Sequence, residues 1–159
     1  MITHETSLES FTEQFEYVLD NYTTHGLQID DFDNIVLGGL GGSGIGAVLA
    51  KNWLFDKCPL PIETVADYHL PKFISRKTLV VLNSYSGNTE ETLSILEKAN
   101  SINAKVIGIT TGGKLETLCG KYDYDKVLIP SGLQPRAALA FSFIPLLCVL
   151  KKVGVINTD

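Results

Sequence analysis

Two short stretches of this 159-residue sequence hold most of the residues that could meet a ligand. In the first, six of the fourteen glycines (Gly38, Gly39, Gly41, Gly42, Gly44 and Gly46) fall within nine residues, with Ser43 among them. Glycines at the turn from a strand into a helix admit positive φ and a close backbone approach. The helix beyond them offers free N–H groups and a positive dipole end, which suit an anion. Tight strand–helix packing would use the same glycines without any ligand. In the second stretch, Ser84-Tyr85-Ser86-Gly87-Asn88-Thr89-Glu90-Glu91-Thr92, the hydroxyls of Ser84, Ser86 and Thr89 surround Gly87 at a helix start. Hydroxyls and backbone N–H groups together can wrap a phosphate without lysine or arginine. A helix cap alone needs one such residue, Ser86 or Asn88, with Glu91 completing a capping box. Here hydroxyls and Asn88 exceed that need.

Three motifs compete for these loops. Gly39-Leu40-Gly41-Gly42-Ser43-Gly44 satisfies the dinucleotide pattern GxGxxG in its required strand–loop–helix setting, with Asp67 as a possible ribose ligand. Gly108 to Lys114 follows a P-loop until Leu115 stands where Ser or Thr should hold Mg²⁺, so an NTPase is rejected. Gly41-Gly42-Ser43-Gly44-Ile45 misses the GxSxG elbow at its last position, and nothing marks a triad histidine.

The elements that must position these loops are legible as periodicity. Residues 7–21 carry Leu8, Phe11, Phe15, Val18 and Leu19 at helical spacing. Strands are expected at 34–39, 62–66, 78–83, 105–109 and 126–129. Helices are expected at 45–55, closed by Pro59 and Pro61, at 90–100, briefly near 115–120, and at 137–153 with Pro145 as a kink. Apolar β-branched strands alternating with helices indicate a parallel sheet covered on both faces. Right-handed crossovers then favour an α/β, three-layer, doubly wound five-stranded parallel sheet with the flavodoxin-like order 2-1-3-4-5. Residues 1–33 form an N-terminal helix and lead-in, and residues 34–159 the ligand-binding domain, within one domain overall. In that order the first and third strands are neighbours. Residues 41–46 and 84–89 would therefore face each other across the crevice at their carboxyl ends, the usual ligand site of an open α/β sheet.

Composition narrows the classes. Hydrophobic residues make up 45% and charged residues 19%, which excludes intrinsic disorder. Thirteen basic against eighteen acidic residues, net −5, argue against a nucleic-acid or anionic-membrane surface. The three cysteines, Cys58, Cys119 and Cys148, form no CxxC pair, and a reducing cytoplasm is the expected setting. The most apolar segment, residues 137–150, falls short of the roughly 20 residues that span a bilayer.

The segments GGLGGSGIG, LNSYSGNTEET, ITTGGKL and LQPRAALA together resemble the sugar isomerase (SIS) domain. More closely, they resemble the first half of the bifunctional phosphoglucose/phosphomannose isomerases of the phosphoglucose isomerase superfamily. Ser-Tyr-Ser-Gly-Asn-Thr is the most specific element, and the likeness runs from about Asn34 to the chain end. The resemblance implies reversible aldose–ketose conversion of hexose 6-phosphates, glucose or mannose 6-phosphate to fructose 6-phosphate, with no metal or organic cofactor. By motif, Ser43, Ser84, Ser86 and Thr89 match the family's phosphate ligands, with Gly42, Gly44, Gly87 and Asn88 beside them. Arg136 matches its arginine near the reacting carbons. The family continues into a second SIS domain that supplies the base, so the chain is expected to be the first half of a longer enzyme. One-domain relatives also exist as oligomers that borrow residues across interfaces.

Isomerisation through an enediol needs a base, a ring-opening group and positive charge beside the enediolate. Arg136 suits the last role, because its guanidinium stays charged and offers a fork of donors. No base is identifiable. Glu90 and Glu91 suit a helix N-terminus structurally, His69 reads as a loop or core histidine rather than a catalyst, His4 and His25 are isolated, and Lys114 is read as solvated. Two alternatives stay open, a sugar-phosphate sensor without turnover and an NAD-binding Rossmann domain. The closing helix is apolar all round, so one face should meet a second surface. A homodimer follows as the expectation, with the hexose phosphate as the small-molecule partner.

Overall fold

The chain builds its sheet from the middle outwards, and the computed structural model describes residues 11–22, 26–133 and 138–156. In chain order the elements are α1 (Phe11–Asn21), β1 (Asn34–Gly39), α2 (Gly42–Trp53), β2 (Ile62–Val65), β3 (Thr78–Ser84), α3 (Glu90–Ser101), β4 (Lys105–Thr110), α4 (Gly113–Lys121), β5 (Asp125–Leu128) and α5 (Leu139–Val153). A 3₁₀ turn at Ile29–Asp31 leads into β1. The central strand β3 is buried at every position. Its Val and Leu side chains meet helices on both faces, as a parallel sheet requires.

All pairings are parallel, and the order is β2-β1-β3-β4-β5, as expected from the sequence. Alternation along each strand sorts the core into two halves. Ile35, Leu37, Leu79, Val81, Ile107 and Ile109 join the layer of α2 and α5. Val36, Val80, Leu82 and Val106 join residues of α3 and α4 on the other face. Truncating one of the fully buried leucines, such as Leu79, would cost about 2–5 kcal/mol.

Two expectations need correction. Helix α2 begins at Gly42, not Ile45, because the glycine turn curls directly into helix with Gly41 as its N-cap at φ 58°. The chain then leaves the helix at Leu54, before Phe55. The closing helix, expected to need a second surface on one face, is largely covered within the chain. On one flank α2 approaches so closely that a Cβ on Gly46 would lie 3.2–3.3 Å from the Ser142 and Phe143 backbone. On the other, Tyr17 of α1 packs edge-on against Phe141, ring centroids 6.0 Å apart. Phe143, Leu147 and Cys148 stay half-buried. Pro145 sits inside α5 without ending it. Residues 1–10, including the expected helix start at Ser7 with Leu8, lie outside the described residues, as do His4 and His25.

Candidate functional site

The register Gly39↔Asn83 carries β1 and β3 to the same height, so the loops that follow them emerge side by side. One hydrogen bond joins them directly, from the Tyr85 N–H to the Ser43 hydroxyl at 3.3 Å. Ser43 is buried in the first turn of α2. Gly42 and Gly44 flank it in that turn, whose N-cap residue Gly41 makes no side-chain cap bond. The Gly44 N–H in this turn already reaches the Gly41 carbonyl at 3.1 Å, and the helix start carries the positive end of its dipole.

The second loop is organised by its own hydroxyls. Ser84, 1% exposed, shares a hydrogen bond with the Thr89 hydroxyl at 2.9 Å and accepts the Gly87 N–H at 3.1 Å. The Ser86 side chain is exposed, and its hydroxyl accepts the Asn88 N–H at 3.2 Å. Gly87 turns the chain at φ 68°, and a Cβ there would sit 1.8 Å from the Gly112 carbonyl oxygen, so no other residue fits. The simple capping explanation is not realised: the N-cap of α3 is Thr89, and its side chain makes no cap bond. Among the described residues, no N-cap side chain bonds to the first turn of α3. Each hydroxyl also keeps bonding capacity beyond the contacts named.

Of the sequence-derived residues, Gly42, Ser43, Gly44, Ser84, Ser86, Gly87 and Thr89 all lie on these two adjoining loops. Asn88 lies there too, but both ends of its carboxamide are engaged: Nδ2 donates to the Ser86 carbonyl at 3.0 Å, and Oδ1 accepts the Lys114 N–H at 3.2 Å. Arg136 lies outside the described residues. Asp67, weighed as a ribose ligand, is exposed beyond β2 with His69 Nδ1 at 3.6 Å. Glu90 lies in the first turn of α3, 3.4 Å from the Tyr68 hydroxyl. Burial chiefly, then the charges of Glu91 and Glu90, raises the Tyr68 phenol above its ordinary value.

Sequence reasoning passed over three residues that shape this site. The Tyr85 hydroxyl accepts the Leu133 N–H at 3.0 Å, tying the segment after β5 to the 84–89 loop. Asn83, 2% exposed, donates Nδ2 to the Ser142 carbonyl at 2.8 Å, joining β3 to the start of α5. Thr111 donates its hydroxyl to the Tyr85 carbonyl at 2.7 Å. Asn83 and Tyr85 stand in the LNSYSGNTEET segment and Thr111 in the failed P-loop pattern, but no local spacing assigned them these partners. Beside the loops, between α2 and β2, a cavity of ≈ 330 Å³ is lined by Gly39, Gly41, Gly44, Ile45, Val48 and Val65 among others.

Comparison with known proteins adds an independent view. The family model described as "SIS domain" matches residues 28–131. A bifunctional phosphoglucose/phosphomannose isomerase of Caldicellulosiruptor bescii is 47% identical over 153 residues, covering 95% of this chain and 45% of the relative. A protein of the same name from Thermoplasma volcanium is 39% identical, covering 83% of this chain and 41% of the relative. The chain thus spans less than half the length of these curated relatives. Among solved structures, the Vibrio vulnificus NanR protein complexed with ManNAc-6P superposes with a TM-score of 0.68 at 17% identity, covering 94% of this chain and 60% of that one. At that identity the likeness concerns the fold alone.

Proposed function

The chain belongs to the SIS domain family, and from that premise we propose that its paired loops bind the phosphate of a hexose 6-phosphate for aldose–ketose isomerisation. The observation that carries the reading is the junction of Ser43 with the 84–89 loop beside the uncapped first turn of α3. Hydroxyls and N–H dipoles held in place by the fold need little reorganisation to receive a dianion. The relatives named phosphoglucose/phosphomannose isomerase support glucose and mannose 6-phosphate as substrates and fructose 6-phosphate as product.

In this reading the loops anchor the phosphate, and binding at this remote end orients C1 and C2 for proton transfer. Arg136 takes the part of the cation beside the enediolate. The proton moves between adjacent carbons by a base, without metal or organic cofactor. That base comes from outside these 159 residues, from a further domain, and the reaction takes place in the cytoplasm. Among the described residues, no helix is long and apolar enough to cross a membrane.

A homodimer remains part of the proposal, with a different surface from the one the sequence pointed to. Since α1 and α2 cover much of α5, the exposed apolar row of α2 (Ile45, Val48, Leu49 and Trp53) is the better candidate. Sedimentation velocity at micromolar concentration should report a dimer. A monomer there would remove this part of the proposal.

Calorimetric titration with glucose 6-phosphate and mannose 6-phosphate tests the binding step, and a coupled assay tests turnover. Binding without turnover is expected for these residues alone. A rate near 10 per second, about the enzyme median, would place the base within the chain instead. Failure to bind either sugar phosphate would overturn the reading, and titration with NADH would then examine the dinucleotide alternative.

A further inference from the structure

Each main-chain carbonyl from Ser84 to Gly87 already has a donor. The Gly87 N–H reaches the Ser84 oxygen at 3.0 Å. The Thr111 N–H and hydroxyl both reach the Tyr85 oxygen, at 3.1 and 2.7 Å. Asn88 Nδ2 holds the Ser86 oxygen at 3.0 Å, and the Leu115 N–H holds the Gly87 oxygen at 2.8 Å. Asn88 is itself fixed by the Lys114 N–H, so the β4–α4 segment governs the Tyr85, Ser86 and Gly87 carbonyls directly or through one residue.

The direction of this pull follows from topology. Strand β4 flanks β3 on the side away from β1. Donors from the β4–α4 loop therefore draw the carbonyls of the 84–89 loop away from the glycine loop after β1. A carbonyl oxygen turned toward a phosphate would repel it, whereas N–H groups and hydroxyls attract it. The two loops also interlock sterically: a Cβ on Gly113 would lie 2.6 Å from the Ser86 carbonyl oxygen. The Thr-Thr-Gly-Gly-Lys run, which fails as a P-loop, thus has a different task.

We propose that the β4–α4 loop sets the polarity of the anion loop, with Thr111 and Asn88 as positioning residues that touch no ligand themselves. The inference rests on the reading of the 84–89 loop as a phosphate site. It reassigns Asn88 from ligand to strut.

The test is calorimetric titration of the complete natural chain with inorganic phosphate, each variant melted in parallel. Thr111→Val removes the hydroxyl at nearly constant volume and should weaken phosphate binding about threefold to tenfold, the weight of one hydrogen bond. Thr111→Ser restores the donor and should bind within about twofold of wild type on the same scale. A second pair guards against misfolding of the first. Lys114→Pro deletes the N–H that holds Asn88, at the second residue of α4, where the first turn tolerates proline. Lys114→Ala keeps that N–H while removing the charge. Lys114→Pro should bind phosphate more weakly than Lys114→Ala. Equal affinities for Thr111→Val and wild type, equal losses for Thr111→Val and Thr111→Ser, or equal affinities within the Lys114 pair would each overturn the inference and leave the phosphate reading intact. A wild-type chain that binds no phosphate overturns both.

Discussion

The Ser43 hydroxyl accepts a hydrogen bond from the Tyr85 N–H at 3.3 Å, although 42 residues separate them. This bond couples the first turn of α2 to the 84–89 loop, so neither can shift without the other. Ser43→Ala should lower the affinity for hexose 6-phosphate and also reduce stability by about 1–3 kcal/mol, because it leaves a buried N–H without its acceptor. Calorimetry and chemical denaturation of the same variant measure the two effects. An unchanged denaturation midpoint would show that the cross-loop bond contributes nothing.

Ser86 and Ser84 should separate binding from folding. Ser86 is exposed, so Ser86→Ala should weaken glucose 6-phosphate binding by about 1–3 kcal/mol while its melting temperature stays close to wild type. Ser84 is buried and bonded to both Thr89 and Gly87, so Ser84→Ala should lose stability as well as affinity. Matching losses of melting temperature in the two variants would contradict this division.

Gly87→Ala should be far more disruptive than its single methyl group implies. The added Cβ would meet the Gly112 oxygen at 1.8 Å in a backbone conformation, φ 68°, that alanine also resists. Relief requires the 84–89 loop and the β4–α4 loop to part. The expected result is loss of phosphate binding together with a stability loss of more than about 2 kcal/mol. A variant that still binds phosphate with wild-type affinity would mean that the interlock yields easily.

Alkaline pH should weaken the fold through Cys119. This thiol is fully buried against Gly108, and burial pushes its pKa up to about 11 from an ordinary value of 9.0. Below pH 9 it is protonated in both states and its contribution is constant. From pH 9 to about 11 the unfolded chain loses the proton while the folded chain keeps it, so stability falls as pH rises. The full effect is on the order of 2 kcal/mol. Urea denaturation across this range should show a shallower decline for Cys119→Ala than for wild type. Parallel slopes would remove Cys119 as the cause.

The sequence alone determined the strands, the sheet order and most of the proposed phosphate-contacting residues, because each is written in local pattern. Unbroken apolar runs in β1, β3 and β4 mark buried parallel strands, and clusters of glycine and hydroxyls mark where those strands end. Tertiary structure decided what depends on partners distant in the chain. The β1–β3 register is what brings Ser43 to Tyr85, and no local spacing encodes that contact. The same holds for Thr111, whose role comes from a carbonyl 26 residues earlier. Asn88 looked like a ligand by its place in the motif, and only the approach of Lys114 shows its carboxamide engaged. The apolar surface of α5 was equally plain in sequence. Which surface would cover it was not, because hydrophobic burial has no direction: packing supplied α1 and α2, where periodicity alone pointed to a second surface, a further domain or an identical subunit.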